Sequence, residues 1–146
     1  VERIRRESSL SRSFLGFAPS LLISVDGQSV NEQKECEDHR VELLNSRVDD
    51  SRSDDAVAIV REGLSNIARH AHATAGAVNV ELQGSGKTGR LTVSVSDDGV
   101  GIDPAHTRNS GLANMAERAR LNGGTFTVGT GLEGKGTKII WSVPLA

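Results

Sequence analysis

The feature that most constrains this chain is a pair of alternating segments joined by a glycine-rich loop. Apolar and polar residues alternate over residues 78–83 and again over residues 91–96. A period of two residues is typical of a strand with one buried face. Glycines recur within residues 84–89, where they indicate a tight connection. The sequence therefore predicts a hairpin of two half-buried strands.

A segment with a helical period precedes the hairpin. At about 100° per residue, several of its apolar side chains fall within one narrow arc, as in an amphipathic helix. These are Val60, Leu64, Ile67 and Ala71. We expect a helix over about residues 54–72, with Ser53 or Asp54 as its N-cap.

The opposite side of this helix is polar. It carries Glu62, Asn66, Arg69 and His70, and Glu62, Asn66 and His70 follow one another at i, i+4 spacing. Residues spaced in this way are neighbours on one helix face. Such a row is typical of a solvated surface, but it also contains the groups that a metal–phosphate ligand needs.

The segments before the helix are less regular. Residues 1–20 begin with a basic, serine-rich run, and we interpret them as a tail or linker from a preceding domain, either helical or disordered. Residues 21–25 predict a first strand, closed by a turn at residues 26–27. The charged stretch 28–55 predicts a short helix near residues 32–46 and then a polar linker.

An acidic, glycine-containing turn follows the second strand of the hairpin. Asp97, Gly99 and Gly101 alternate there with other residues. A carboxylate accepts hydrogen bonds from an exocyclic amine such as adenine N6, and glycine lets the backbone approach a flat ring closely. Because such turns are common, this pattern alone leaves a plain turn open.

The last part of the chain predicts one helix and two strands. Residues 111–121 form the helix, and a Gly-Gly pair ends it. Its apolar stripe consists of Leu112, Met115, Ala116 and Ala119. Residues 125–128 and 137–143 predict strands on either side of the glycine-rich loop 129–136.

Three residues in this part admit specific expectations. Gly111 lies at the start of the helix, where free N–H groups and the helix dipole favour a phosphate. A plain loop-to-helix junction would have the same sequence. Met115 and Trp141 are expected to pack in the core or at its edge.

The composition favours one globular domain and argues against several classes of function. The net charge is −2 and aromatic residues make up 3% of the 146 residues, which argues against a surface for nucleic acid. Cys36 is the only cysteine, so an intrachain disulfide is impossible and a reducing compartment is expected. No apolar run approaches a membrane span. The first residue, Val1, suggests a piece of a larger protein.

In order and spacing, four motifs resemble those of the ATP-binding catalytic domain of sensor histidine kinases. That domain belongs to the superfamily shared with gyrase, heat-shock protein 90 and mismatch-repair ATPases. The matching segments are residues 62–71 for the N box, 97–101 for the G1 box, 110–124 for the G2 region and 134–137 for the last glycine box. The motifs span about residues 54–144.

The resemblance implies an α/β fold, the two-layer Bergerat sandwich, whose mixed and mostly antiparallel sheet carries helices on one face. The catalytic domain would span residues 21–146, with ATP and Mg²⁺ as cofactors. The reaction would be phosphoryl transfer to a histidine. Glu62, the Arg-His-Ala run at 69–71 and a short nucleotide lid resemble the nitrate-sensor type. The ending 140–145 resembles the actinobacterial dormancy kinases that sense oxygen or redox state.

The resemblance also implies roles at the adenine end of a nucleotide. Asp97 would accept the adenine N6 hydrogen bond, and Thr137 would assist through water. Gly99 and Gly101 would admit the ring. Gly136 belongs to the same nucleotide-binding set.

Other residues would serve the phosphate end. Asn66 would ligate Mg²⁺ through its amide oxygen, and Arg69 would balance phosphate charge. Glu62 is the candidate catalytic base near the γ-phosphate, and Gly111 would offer its backbone N–H. The remaining residues assigned to nucleotide binding are His70 and Leu112.

The resemblance implies partners beyond this chain. His39 has an acidic context but no long flanking dimerisation helix, so it is interpreted as an exposed surface residue. The acceptor is therefore expected on a histidine-containing dimerisation domain of the same protein, a full-length homodimer in the cytoplasm that relays to a response regulator. Neither nucleic acid nor membrane is expected to bind this fragment.

Two departures leave alternatives. Asn109 stands where the family has the first G2 glycine, which admits a degenerate nucleotide-binding module, and the stretch 28–55 exceeds the usual connection. An anti-sigma-factor serine kinase has a similar Glu, Asn and His pattern, but the helix followed by Gly-Gly favours the histidine kinase. A gyrase-like ATPase would have Asp where this chain has Arg69, and a longer chain.

Overall fold

The computed structural model describes residues 2–29, 43–44, 46–68, 73–100 and 110–146. Three long helices cover one face of a sheet in this part of the chain, so the expected two-layer α/β sandwich is confirmed. The helices are α1 (Glu2–Leu15), α2 (Asp50–Asn66) and α3 (Ser110–Leu121). The strands are β1 (Ser20–Val25), β2 (Gln28–Ser29), β3 (Gly76–Gln83), β4 (Arg90–Asp97), β5 (Thr125–Thr130) and β6 (Thr137–Pro144).

The sheet is mixed, as the resemblance implied. Its strand order is β2-β1-β3-β4-β6-β5, with β1 and β3 parallel and every other neighbouring pair antiparallel. The hairpin predicted from the alternating segments is β3–β4. Val78 lies opposite Val95, and Val80 lies opposite Val93, so apolar side chains face one another on the covered face.

The core lies between that face and the helices. Ile59, Val60 and Leu64 of α2 are almost completely buried, which confirms the predicted apolar stripe over the described part of the helix. Met115 and Trp141 are 1% and 0% exposed, which confirms them as packing residues. Ile4 places α1 against the same core. In the described part of the chain, no helix is both long and apolar enough to cross a bilayer.

The predicted turn after β1 is present and is tied to the end of β3. Asp26 and Gly27 both have positive φ, 51° and 85°, as in a tight hairpin turn. The Asp26 carboxylate accepts hydrogen bonds from the Gly84 N–H and from Arg47, each at 2.9 Å. The Gly84 bond, followed by that of Arg47, lowers the pKa of Asp26.

The predicted N-cap of the central helix is wrong. α2 begins at Asp50, and its N-cap is Asp49, whose carboxylate accepts from the Arg52 N–H at 2.8 Å, rather than Ser53 or Asp54. The first turn of the helix is polar and packs little of its surface against the core. The hydrophobic period therefore starts later than the helix does.

The apolar stripe assigned to the last helix is also partly wrong. Met115 and Ala119 are buried and Leu112 is half-buried, but Ala116 is exposed. The helix packs near β5, the edge strand of the sheet, so only a narrow strip of its surface is covered. Most of the short helix predicted near 32–46 lies outside the described residues, although Leu44 is buried in the core.

Gly63 lies in the middle of α2, where glycine is normally unfavourable. A Cβ at this position would be 2.9 Å from the Val95 Cβ and 3.1 Å from the Ile139 Cδ1. The helix main chain at Gly63 therefore packs directly against the Val95 and Ile139 side chains of β4 and β6. This close approach is the reason for a glycine here.

We predict that Gly63→Ala destabilises the protein. Overpacking of a core costs about 1–3 kcal/mol, which exceeds the gain of up to about 1 kcal/mol from replacing glycine with alanine in a helix. Urea unfolding should show a lower midpoint with an unchanged slope. The control is Gly129→Ala, because a Cβ there meets nothing within 4 Å. A Gly63→Ala protein as stable as the parent would disprove the close packing.

Candidate functional site

A buried carboxylate lies where β4 ends. Asp97 is 3% exposed, and its Oδ1 accepts the Gly99 N–H at 2.8 Å. The backbone N–H of Thr137 also donates to this carboxyl group. Burial raises the pKa of Asp97, with these two donors acting in the opposite direction and the charge of Asp98 adding to the rise. The group is thus an acceptor held by backbone donors.

Two glycines from the segment between β5 and β6 lie against Asp97. A Cβ at Gly136, whose φ is 68°, would collide with the Asp97 carboxylate and lie 2.7 Å from the Gly99 nitrogen. A Cβ at Gly131 would collide with the main-chain oxygen of Asp97. Main chain alone therefore surrounds this part of Asp97. The glycine-rich loop was recognised from the sequence, but no pattern singled out Gly131.

The adjacent carboxylate, Asp98, has a different environment. It accepts hydrogen bonds from the Thr74 N–H at 2.8 Å, the Thr74 hydroxyl at 2.7 Å and the Ala75 N–H at 2.9 Å. These bonds, with the Thr74 hydroxyl first, lower the pKa of Asp98. Asp98 therefore joins the end of β4 to the entry of β3. Sequence reasoning missed this role, because consecutive aspartates look alike in a pattern.

The C-terminal end of α2 reaches the same edge of the sheet. A Cβ at Gly76 would be 3.6 Å from the Ile67 Cδ1, and Gly76 pairs with Asp97 across β3 and β4. Glu62 and Asn66 lie one turn apart near this end of the helix. Glu62 is half-buried. The C-terminal end of α2 is therefore next to the end of β4.

The expectation that Asn66 faces away from the core is wrong. This side chain is only 8% exposed, although it flanks the apolar stripe. Asn66 follows the buried Ile59 by seven residues, about two helical turns, so it lies on nearly the same side of α2 as that core residue.

The other predicted site residues fall into three sets. Gly111 is buried in the first turn of α3, and Leu112 next to it is half-buried. Asp97, Gly99, Gly136 and Thr137 form one contacting cluster. The residues that lie outside the described part of the chain are Arg69, His70, Gly101, Asn109 and His39.

Comparison with known sequences gives a family match and two informative relatives. The family described as "Histidine kinase-, DNA gyrase B-, and HSP90-like ATPase" matches residues 51–146. The signal transduction histidine-protein kinase/phosphatase UhpB of Salmonella typhimurium is 39% identical over 87 residues, which cover 59% of this chain and 16% of UhpB. The sensor histidine kinase LiaS of Bacillus subtilis is 33% identical over 106 residues, which cover 71% of this chain and 28% of LiaS. The match thus spans less than a third of either relative.

Comparison with solved structures supports the fold. The histidine kinase domain of the blue-light activated histidine kinase EL346 from Erythrobacter litoralis superposes with a TM-score of 0.62. The identity is 21%, and the superposition covers 97% of this chain and 59% of that one. At this identity, the likeness shows a shared fold.

We predict that Asp98→Ala lowers stability at neutral pH and less so in acid. The folded-state pKa of Asp98 lies below the ordinary value of 3.8, so its stabilisation is complete above that value. The stabilisation disappears as the pH falls through the lower folded-state pKa. Urea midpoints of parent and variant should therefore converge in acid. Asp54→Ala, which removes one exposed ion pair with Arg3, is the control; a pH-independent gap would argue against the three bonds.

Proposed function

Because the chain belongs to the family of histidine kinase-, DNA gyrase B- and HSP90-like ATPases, we propose that it is the ATP-binding catalytic domain of a two-component sensor histidine kinase. The observation that carries this proposal is the buried Asp97 carboxylate, held by backbone donors beside Gly131 and Gly136. Relatives named as sensor kinases support it. The domain would span residues 21–146, with α1 packed against it through Ile4.

The adenine end of ATP would bind at Asp97. An ionised carboxylate has about four acceptor sites, and Gly99 and Thr137 use only part of that capacity. The rest is available to the N6 amino group of adenine. Gly99 and Gly101 would let the ring approach the main chain, and the Thr137 hydroxyl would assist through a water.

The phosphate end would meet α2 and the start of α3. Glu62 would act as the base or polarising group near the γ-phosphate, and Arg69 would balance phosphate charge. Gly111 would offer its backbone N–H to the phosphates, because the dipole at a helix start favours anions. The set is completed by His70, Leu112 and Gly136.

Asn66 fits a Mg²⁺ site. Its amide oxygen is a hard ligand, and Mg²⁺ prefers a few protein oxygens with phosphates and waters. In the ranges that the structure describes, no three His, Cys, Asp or Glu side chains cluster as an alternative metal site. When bound, Mg²⁺ would neutralise phosphate charge; Asn66 would orient the triphosphate relative to Glu62.

The reaction would transfer the γ-phosphoryl group to a histidine. The bond from the γ-phosphorus to the β–γ bridging oxygen breaks, a bond to an imidazole nitrogen forms, and ADP leaves. Positioning and charge stabilisation account for most of such catalysis. The acceptor would lie on the dimerisation domain of the same cytoplasmic, homodimeric protein, which passes the phosphoryl group to a response regulator.

The sequence further supports a subtype. Glu62 at the start of the N box, the Arg-His-Ala run at 69–71 and the short lid favour the nitrate-sensor type. The ending 140–145 favours the dormancy kinases within it.

We predict that Asp97→Asn weakens ATP binding by about ten-fold or more, since a hydrogen bond to a charged group contributes roughly 1.5–3 kcal/mol. The Asn oxygen would face the Gly99 and Thr137 donors, so its NH₂ would meet the adenine amino group. The preference for ATP over GTP should therefore be reduced. Isothermal titration with both nucleotides measures these effects.

The matched control for this test is Asp26→Asn. Asp26 lies at the opposite end of the strands from Asp97. It contacts Arg47 and Gly84 rather than the Asp97 cluster. It should leave both affinities unchanged. A folded Asp97→Asn protein with the affinity and base preference of the parent would refute the assignment.

We predict that Asn66→Ala loses most of the gain in ATP affinity that Mg²⁺ produces, while Mg²⁺-free binding through Asp97 is partly retained. It should also abolish transfer to an isolated acceptor domain. Because Asn66 is 8% exposed, some loss of stability is expected, so the folded fraction must be measured first. Asn79→Ala on the outer face of β3 serves as the control. An unaltered response to Mg²⁺ would exclude Asn66 as the ligand.

A further inference from the structure

One carboxylate of α2 holds the far end of α3. Asp55 accepts hydrogen bonds from the Arg118 guanidinium at 2.5 Å and the Asn122 side-chain amide at 2.8 Å. The Asp55 side chain is 15% exposed, whereas both members of the neighbouring Arg3–Asp54 pair are more than half exposed. Asn122 also donates to the Arg118 carbonyl at 2.8 Å, so the two donors are fixed to each other.

These contacts lie at the end of the sheet where strand β6 terminates. The Arg52 guanidinium of α2 donates to the Pro144 carbonyl at 2.6 Å. After α3, a Cβ at Gly124 would collide with the Ser142 main-chain oxygen. α2 therefore begins at this end of the sheet and α3 terminates there, so the two helices run in opposite directions.

The spacing along both helices then matches. Glu62 follows Asp55 by seven residues on α2, and Gly111 precedes Arg118 by seven residues on α3. Seven residues are about two helical turns, or roughly 10.5 Å, and they return to nearly the same face. Antiparallel helices joined at Asp55 and Arg118 bring Glu62 level with Gly111.

A narrow strip of α3 is buried against the rest of the protein. Among its described side chains, Met115 and Ala119 are buried, Leu112 is half-buried and the others are exposed. The other ion pair of α3 in the described part of the chain, Arg120–Glu117, is internal to the helix. A helix held by so narrow an apolar strip depends on its charged contact for its position along the axis.

We propose that Asp55 is a positioning residue for the phosphate end of the ATP site. Through Arg118 and Asn122 it sets the position of α3 along α2, and hence the distance between Gly111 and Glu62. This inference rests on the proposed function, in which these two residues meet the phosphates. Asp97 lies on β4, so the adenine contact does not depend on α3.

The test compares Asp55→Ala with Asp54→Ala. The two positions are adjacent, and each substitution removes a carboxylate that is bonded to one arginine. Asp54 pairs with Arg3 of α1, whereas Asp55 pairs with Arg118 of α3. Affinities of the full chain for ATP with Mg²⁺ and for adenosine are measured by titration, with unfolding midpoints for each variant.

We expect Asp55→Ala to weaken ATP binding by about ten-fold, equivalent to about 1.4 kcal/mol, and to leave adenosine binding unchanged. Asp54→Ala should change neither. Arg118→Ala should reproduce the effect, and the double variant Asp55→Ala/Arg118→Ala should add little, because both changes break one contact. If Asp55→Ala does not fold, Asp55→Asn and Arg118→Ala are compared with Asp54→Ala in the same way.

Two outcomes overturn the proposal. Unchanged ATP affinity in a folded Asp55→Ala protein shows that α3 does not need this contact, and an equal loss for ATP and adenosine shows a general structural role. In both cases the parent still binds ATP, so the proposed function stands. A parent that binds neither ligand would overturn both.

Discussion

The contact between α2 and the sheet at Gly63 determines the geometry of the site. Because no side chain separates the helix from Val95 and Ile139, the helix axis lies close to β4 and β6. Its last turn consequently reaches Gly76, the sheet partner of Asp97. A larger residue at position 63 would push the helix away from Val95 and Ile139. The packing at this one glycine thus sets how closely α2 approaches the strand that ends at Asp97.

Adjacent aspartates at this edge show how the environment assigns roles. The inward alternation of β4 ends with Asp97, which is therefore buried, and burial raises its pKa. Asp98 lies beyond the strand, where three donors from Thr74 and Ala75 lower its pKa. The first carboxylate has acceptor capacity left for a ligand, whereas the second is committed to the fold.

Local patterns predicted those elements that are determined locally. The β3–β4 hairpin, α3 and the turn at Asp26 follow from side-chain period and glycine placement, and all are present. Features that depend on tertiary approach were missed or wrong. Asn66 is buried because the covered side of α2 is broader than the stripe predicted at positions 60, 64 and 67, and also includes Ile59 and Gly63. The exposure of Ala116 depends on α3 lying near an edge strand, which no helical period encodes.

The contacts within the candidate site follow from a different signal. The spacing of Asp97, Gly99, Gly136 and Thr137 is that of a known family, and the structure brings these residues into contact. Gly131, Asp98 and Asp55 had no such signal. Their importance lies in the distance between elements, and a linear pattern does not contain that distance.

The two ends of the sheet, at which the strands terminate, are built from different interactions. At the end where β6 terminates, charged side chains join the elements, through Arg52 to Pro144 and Asp55 to Arg118, at 2.5–2.6 Å. At the end where β4 terminates, backbone donors and glycines surround Asp97. Glycines let the main chain pack closely around Asp97, but they provide little apolar burial of their own. In the proposed function, this end of the sheet would bind the nucleotide, while the charged contacts at the opposite end hold the helices in place.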